Sequence, residues 1–294
     1  MARVPVFSAE VRCREIGTAD IAGIVNLLTG GFRHHHRTKA FWRRAFKRLS
    51  EHLTPQGLPK YGYFLERKGT PVGAILLIFS SIFVNGEAKI RCNVSSWYVE
   101  PAFRGYAAML ASRALRHKHV TYFNITPASN TLPMLEAQGY VRYCAGRFVS
   151  VPALSSRSCG TRVKAVEPDT RLDEELPSHE IELLLAHANY GCMSLICSST
   201  SDRLPFVFTT RRKFGLLPYA YLAYCRDMKD FVRFAGPLGR FLALRGFPLV
   251  VLDSNGPVRE LIGTYSAAFP KYFKGPDQPR LGDLSYSERV MFGV

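Results

Sequence analysis

The period of the hydrophobic positions changes repeatedly along the 294-residue chain, and each change marks an element. Residues 12–15 alternate as a short opening strand. Thr18 and Asp20 then supply capping chemistry for a helix whose apolar positions are Ile21, Ile24, Val25 and Leu28, stopped by Gly30-Gly31. Trp42, Phe46, Leu49 and Leu53 repeat the helical spacing over 38–53, with Arg37, Arg43, Arg44, Lys47 and Arg48 crowding the remainder. From Tyr61 the period shortens to that of strands. Residues 61–67, a Lys68-Gly69-Thr70-Pro71 turn, residues 72–84, an Asn85-Gly86 hairpin turn and residues 88–99 read as consecutive antiparallel strands, ended by Pro101. A helix over 107–118, a strand over 119–125, a helix over 129–138 and Gly139-Tyr140 leading into more strand follow.

Residues 152–162 (PALSSRSCGTR) have linker composition, and after them the order restarts. A helix over 180–187 precedes strands near 193–198, 205–210 and 219–224. A helix over 228–245 must kink or split at Gly236-Pro237. An apolar strand over 247–253 ends in Ser254-Asn255-Gly256-Pro257, and 262–294 holds two further strands. The order of elements is thus repeated, with negligible identity between the halves. Two modules are expected, 1–152 and 153–294.

Composition narrows the partners. The formal net charge is +16, with 47% hydrophobic and 21% charged residues. This is a globular balance on a surface that attracts polyanions: nucleic acid, an anionic membrane face or a phosphorylated ligand. The first ten residues lack the apolar core of a signal peptide, and the apolar run 72–84 is too short for a bilayer span. Seven scattered cysteines without a C-x-x-C pair suit a reducing cytoplasm and give no metal site. Arg33-His34-His35-His36-Arg37 reads as a solvated loop, since neighbouring histidines cannot all face one ion.

The chemistry concentrates at Trp97-Tyr98-Val99-Glu100-Pro101-Ala102-Phe103-Arg104-Gly105-Tyr106-Ala107-Ala108-Met109-Leu110. A strand runs into a tight turn that opens a helix, where unpaired amides and the positive end of the helix dipole make a pyrophosphate cradle. Here the sequence resembles the GNAT superfamily of acyl-CoA-dependent N-acyltransferases. Their loop reads Val-x-Pro, two residues, then Arg/Gln-x-x-Gly-x-Gly/Ala, against Val99-Glu100-Pro101 and Arg104-Gly105-Tyr106-Ala107-Ala108-Met109. Downstream, 123–126 matches the next strand, Asn130 the asparagine opening the next helix, and Gly139-Tyr140 the closing Gly-Phe. The resemblance spans about residues 11–150. This chain departs from it at Ala107, where glycine is preferred, at Met109, where the family has a small residue, and at Leu135, where a tyrosine commonly acts as the acid.

The resemblance implies an α/β fold of two tandem modules, each a mixed, mostly antiparallel sheet flanked by helices. It implies acyl-CoA as co-substrate, without metal, and direct transfer of an acetyl or short acyl group to an amine or hydroxyl. It assigns cofactor binding to Tyr98, Val99, Arg104, Gly105, Tyr106, Ala107 and Ala108, with Asn130 on the cofactor side. Glu100 is the nearest carboxylate for a base, and Tyr143 or Tyr122 could replace the missing acid. The acceptor is unidentified, with the basic helix favouring an anionic one. The second module is then a degenerate wall or lid, or itself the cofactor site. The competing class is a non-catalytic protein of this fold using its basic face on nucleic acid or an anionic envelope. In the second half, Gly236, Gly239 and Arg240 imitate a phosphate loop. Asp253 ends a buried strand where α/β sites often lie, with capping or a turn role as the simpler account.

Overall fold

The computed structural model describes residues 11–84, 86–155, 160–172, 176–212 and 217–293, with the side chains of Val84 and Asn130 outside that set. The expected hairpin residue Asn85 therefore lies outside the described residues. The strands form two mixed seven-stranded sheets flanked by helices, the expected fold class.

One compact unit runs through Asn124 and takes in Lys274–Asp277; the other comprises Ile125–Phe273 and Gln278–Val294. In the first, β1 (Val11–Glu15) leads to α1 (Ile21–Gly31) and α2 (Lys39–Glu51). Thr38 caps α2 by accepting the Phe41 amide at 3.2 Å. Then come β2 (Gly62–Arg67), β3 (Thr70–Val84), β4 (Glu87–Val99), α3 (Ala107–Ala114) and β5 (Thr121–Asn124). The turn between β2 and β3 is Lys68-Gly69, both at positive φ (48° and 81°), the conformation that matches the twist of a tight hairpin. The strands lie in the order β1-β2-β3-β4-β5. All are antiparallel neighbours until β4 meets β5 in parallel. Ile24 and Leu28 of α1, Trp42, Phe46 and Leu49 of α2, and Leu76 and Ile78 of β3 are buried. Each such side chain contributes about 1.5–3 kcal/mol by leaving water.

The second unit contains α4 (Leu132–Ala137), β6 (Val141–Cys144), β7 (Gly146–Ser150), β8 (Arg162–Val166), α5 (Ser178–Asn189) and β9 (Met193–Ser198). It continues with β10 (Arg203–Arg211), β11 (Tyr219–Cys225), α6 (Met228–Arg233), α7 (Ala235–Ala243) and β12 (Leu249–Ser254). β13 (Gly263–Ser266), β14 (Lys271–Lys274) and α8 (Glu288–Met291) end the chain. Its sheet has the order β13-β7-β12-β11-β10-β9-β8, and again only the fourth and fifth strands of the module, β11 and β12, run parallel. Phe206, Phe208, Leu222 and Leu252 pack with Phe231, Leu238 and Leu242 of α6 and α7. The other face, through Val207 and Ala223, packs with Leu184 of α5 and Val290 of α8.

One expectation is corrected here and another is met. The 228–245 helix does split, but at Phe234 rather than at Gly236-Pro237. Pro237 falls in the first turn of α7, where a missing amide costs nothing. The tail forms the two strands expected of it, and a short helix follows them. Hydrogen bonding also crosses the order of the sequence halves: β7 pairs with β12 and β13, and β14 pairs with β6.

Candidate functional site

β4 carries the geometry that matters. Tyr98 lies opposite Ala74 and Ser95 opposite Leu76, so one extra residue on β4 is bulged out between them. Ser96 takes φ 50°, left-handed backbone rarely adopted by a residue with a side chain. The parallel register with β5 ends at Asn93, paired with Phe123, while β4 continues to Val99. Asn93 is fully buried and its Nδ2 donates to the Phe123 carbonyl at 3.1 Å, tying the strands where they part.

Beyond Val99, the Glu100 amide donates to the Val72 carbonyl at 2.9 Å and the chain tightens into a 3-10 turn, Pro101–Tyr106, before α3. Arg104 and Gly105 are exposed, Tyr106 and Ala107 half-buried, Ala108 exposed. A methyl group built on Gly105 would meet nothing within 4 Å, leaving the turn open to an approaching group. Two amides are already committed: Phe103 N–H to Glu100 O at 2.9 Å, and Ala107 N–H to Arg104 O. The turn thus offers fewer amides than an open loop would. Met109 is 36% exposed, whereas Leu110 and Ala111 of the same helix are buried.

Tyr98 and Glu100 also line a cleft of about 590 Å³ with Gly23, Asn26, Leu27, Gly30, Arg33, Thr70 and Pro71. None of these last seven residues was assigned to the site from the sequence. The glycines of α1 were legible as a stop signal, but they also permit close approach. A methyl group on Gly31 would strike the Tyr98 ring at 2.5 Å, and one on Gly23 would press on Pro71 at 3.0 Å. Phe32 stacks between Tyr98 and Trp42, at 6.2 and 5.5 Å between ring centroids. Arg33, His34, His35 and His36 are exposed, as are Lys39, Arg43, Arg44 and Lys47 on α2.

The remaining candidates lie elsewhere. Tyr122 is buried in β5, and its hydroxyl accepts the His117 amide at 3.2 Å. Burial, then the neighbouring Cys92, pushes that phenol well above its usual value, away from an acid's working range. Tyr143 belongs to the second unit, buried edge-on to Phe273 at 6.1 Å. The side chain of Asn130 lies outside the described residues, in the turn Ser129–Thr131 before α4. Leu135 is buried in α4, which Gly139 (φ 82°) ends. No group of three or more metal-ligating side chains occurs among the described residues.

The second module forks at the matching place, with a different outcome. β11 and β12 are in register only as far as Tyr221, opposite Val251. Beyond that point the chain's own C-terminal segment lies along β11. Cys225 N–H donates to Gly282 O at 2.9 Å, Leu284 N–H donates to Ala223 O at 2.7 Å, and Tyr224 bridges Asp283. Asp253 neither caps nor turns: it is buried, ion-paired with Lys271 and hydrogen-bonded by the Tyr221 hydroxyl. Nor is 236–240 a phosphate loop. Gly236, Pro237 and Gly239 are buried, and Gly239 abuts the Pro152–Ala153 backbone, while Arg240 Nη1 donates to Ala153 O at 3.4 Å.

Solved structures share this architecture. A candidate acetyltransferase from Pyrococcus horikoshii superposes with a TM-score of 0.59 at 14% identity, covering 98% of this chain and 97% of its own. GCN5-related N-acetyltransferases from Anabaena variabilis (TM-score 0.57, 12% identity, covering 90% of this chain and 72% of that one) and Kribbella flavida (0.56, 13%, 90% and 70%) are also similar. No family model and no curated protein matches the sequence. The chain has the fold of the GCN5-related N-acetyltransferases, two such modules in tandem. At these identities the likeness is one of fold.

Proposed function

We propose that the protein is an acyl-CoA-dependent acyltransferase whose first module holds acetyl-CoA or another short acyl-CoA. The observation that carries this is the fork of β4 from β5 at Asn93 beside the bulge at Ser96, in the module that also bears the Arg104–Ala108 turn. In the second module the equivalent edge of β11 is hydrogen-bonded to residues 282–284, which argues against a cofactor there.

Acyl-CoA supplies a thioester carbonyl, and the chain's residues do the rest. Backbone at Tyr98 and Val99, freed from β5, is available to bond the pantetheine arm and the developing oxyanion. Arg104, Gly105, Tyr106, Ala107 and Ala108 take the pyrophosphate by charge, open space and the N-terminal end of α3. Glu100, on the cleft wall, accepts the proton lost by the attacking amine or hydroxyl as its bond to the acyl carbon forms and the C–S bond breaks. The departing thiolate takes its proton from solvent; Asn130 and Tyr143, the sequence candidates for the cofactor side and the acid, belong to the other unit and have no part in this step. The acceptor enters the cleft beside Arg33 and Asn26, which favours an anionic or polar group on it.

The test is calorimetry with coenzyme A. Micromolar to millimolar binding that weakens about tenfold in Arg104→Glu supports the proposal; absence of heat from coenzyme A ends it. Acyl transfer to a panel of amines should fall about 100-fold in Glu100→Gln if that carboxylate is the base. The exposed cations of α2 favour a second reading, a non-catalytic anion-binding protein. Salt-sensitive oligonucleotide binding without coenzyme A binding would support it.

A further inference from the structure

A second concentration of chemistry lies wholly within the second unit, where β11 parts from β12, and the proposed transfer uses none of it. Thr209 of β10 faces Tyr221 of β11, and Arg147 of β7 faces Asp253 of β12. Tyr221 is in register with Val251, two residues from Asp253, so alternation puts all four side chains on one face. Lys271 and Arg289 join them from β14 and α8.

The charges do not balance. Asp253 Oδ1 receives both Lys271 Nζ and the Tyr221 hydroxyl, so Lys271 is matched. Arg147, though directly across from Asp253, stacks on Phe269 instead at 3.9 Å and lies 5.4 Å from the Tyr221 ring centroid. Arg289 lies over the same ring at 4.1 Å. Two guanidinium groups thus flank one aromatic ring with no carboxylate left for either among the described residues. Arg211, two residues beyond Thr209, adds another cation. Burial and then the Arg289 charge hold its guanidinium below the usual value.

The donors are buried and unspent. Arg289 is 5% exposed and Thr209 8%, while Arg147 is half-buried; Arg289 Nε, Arg147 Nε and Thr209 Oγ1 are shielded from solvent and have no hydrogen-bond partner among the described residues. A buried cation without a counter-charge is destabilising, and buried donors ordinarily find partners. Two guanidinium groups and a hydroxyl are the kinds of donor that recognise a carboxylate or phosphate group. Burial and the neighbouring Asp253 push the Tyr221 phenol up, so the ring stays neutral and does not repel an anion.

We propose that Arg147, Arg289 and Thr209 form a binding site for the oxyanion of a small molecule, a carboxylate or a phosphate, seated against the Tyr221 ring. Burial of the donors excludes the backbone of a nucleic acid. The site is independent of the acyl-CoA proposal and stands or falls separately from it.

The experiment is thermal unfolding of the full chain in a zwitterionic buffer, titrated in parallel with inorganic phosphate, sodium succinate and sodium chloride at matched ionic strength. A saturable rise in Tm with phosphate, succinate or both, beyond that with chloride, is expected by mass action. Phosphate alone identifies a phosphorylated ligand, and succinate alone a carboxylate. Arg289→Met should abolish the rise, and Thr209→Val, which keeps the shape of the side chain, should weaken the apparent affinity several-fold. Because Arg289→Met removes an unmatched charge, its Tm without anion should equal or exceed the parent's. No rise beyond chloride in the parent overturns the proposal. So does a rise that Arg289→Met and Thr209→Val leave intact.

Discussion

The two modules take the same fork and complete it differently. In the first, β4 leaves β5 at Asn93, bulges at Ser96 and runs on to Val99 and the Arg104 turn. In the second, β11 leaves β12 at Tyr221, and the strand edge beyond is paired with Gly282–Leu284 while a buried ion pair sits at the branch point. One topology therefore supports two kinds of interior. A fork is a potential ligand site only when the backbone groups it liberates are not satisfied by the same chain, because unpaired groups must find a partner or bear a cost. The loop after β11 is closed as well, with Asp227 capping α6 by accepting the Lys229 amide at 2.7 Å.

The sharpest way to break this contrast is to unmake the second fork. Lys271→Met leaves Asp253 buried and uncompensated and should cost about 3–5 kcal/mol, read as a drop in the urea midpoint. Pairing it with Asp253→Leu should restore most of that loss; a double variant as weak as the single one would mean the pair is not what holds the branch. Leu284→Ala tests the C-terminal segment directly. Leu284 is 1% exposed, so its truncation should cost about 2–5 kcal/mol while coenzyme A binding at the first module persists.

A smaller effect is expected at the first fork. Gly31→Val drives side-chain atoms into the Tyr98 ring, costing about 1–3 kcal/mol by overpacking. If Tyr98 borders the site, the apparent affinity for acceptor should fall more than stability does. The smallest effect comes from His52, buried in the first unit with its ring bonded to Phe79 O at 2.7 Å. Burial, despite that carbonyl, holds its pKa below the ordinary value near 6.5, so the folded state favours the neutral ring. Its contribution is fully present above pH 6.5 and is lost as the pH falls toward the lowered value. Urea midpoints at pH 7.5 and 5.5 should therefore differ more in the parent than in His52→Asn, and equal differences would remove His52 from the account.

Much of the first module was legible because its signals are local. Lys68-Gly69 fixes a hairpin by backbone conformation alone, Thr38 caps α2, and Pro101 ends β4. The Val99–Ala108 stretch identified the fold through the spacing of a turn. Less legible was the cleft wall. Gly23, Asn26, Gly30 and Arg33 face Tyr98 and Glu100 across more than 60 residues of chain, and helical spacing shows which residues share a face without showing what that face meets. Asp253 was misread for the same reason: its partner Lys271 comes from another strand, and a carboxylate at a strand end resembles a cap until that strand is placed.

Sequence by itself determined the order of elements, the doubled pattern and the turn that sets this fold, since alternation, capping and turn preference act within a few residues. Tertiary structure alone decided that β7 and β14 pair across the order of the halves, that residues 282–284 occupy the edge of β11, and that two arginines flank Tyr221 without a counter-charge among the described residues. Those outcomes are choices among edges and charges of similar chemistry. Such choices are settled by which partners the folded chain brings within reach, and no local spacing encodes that.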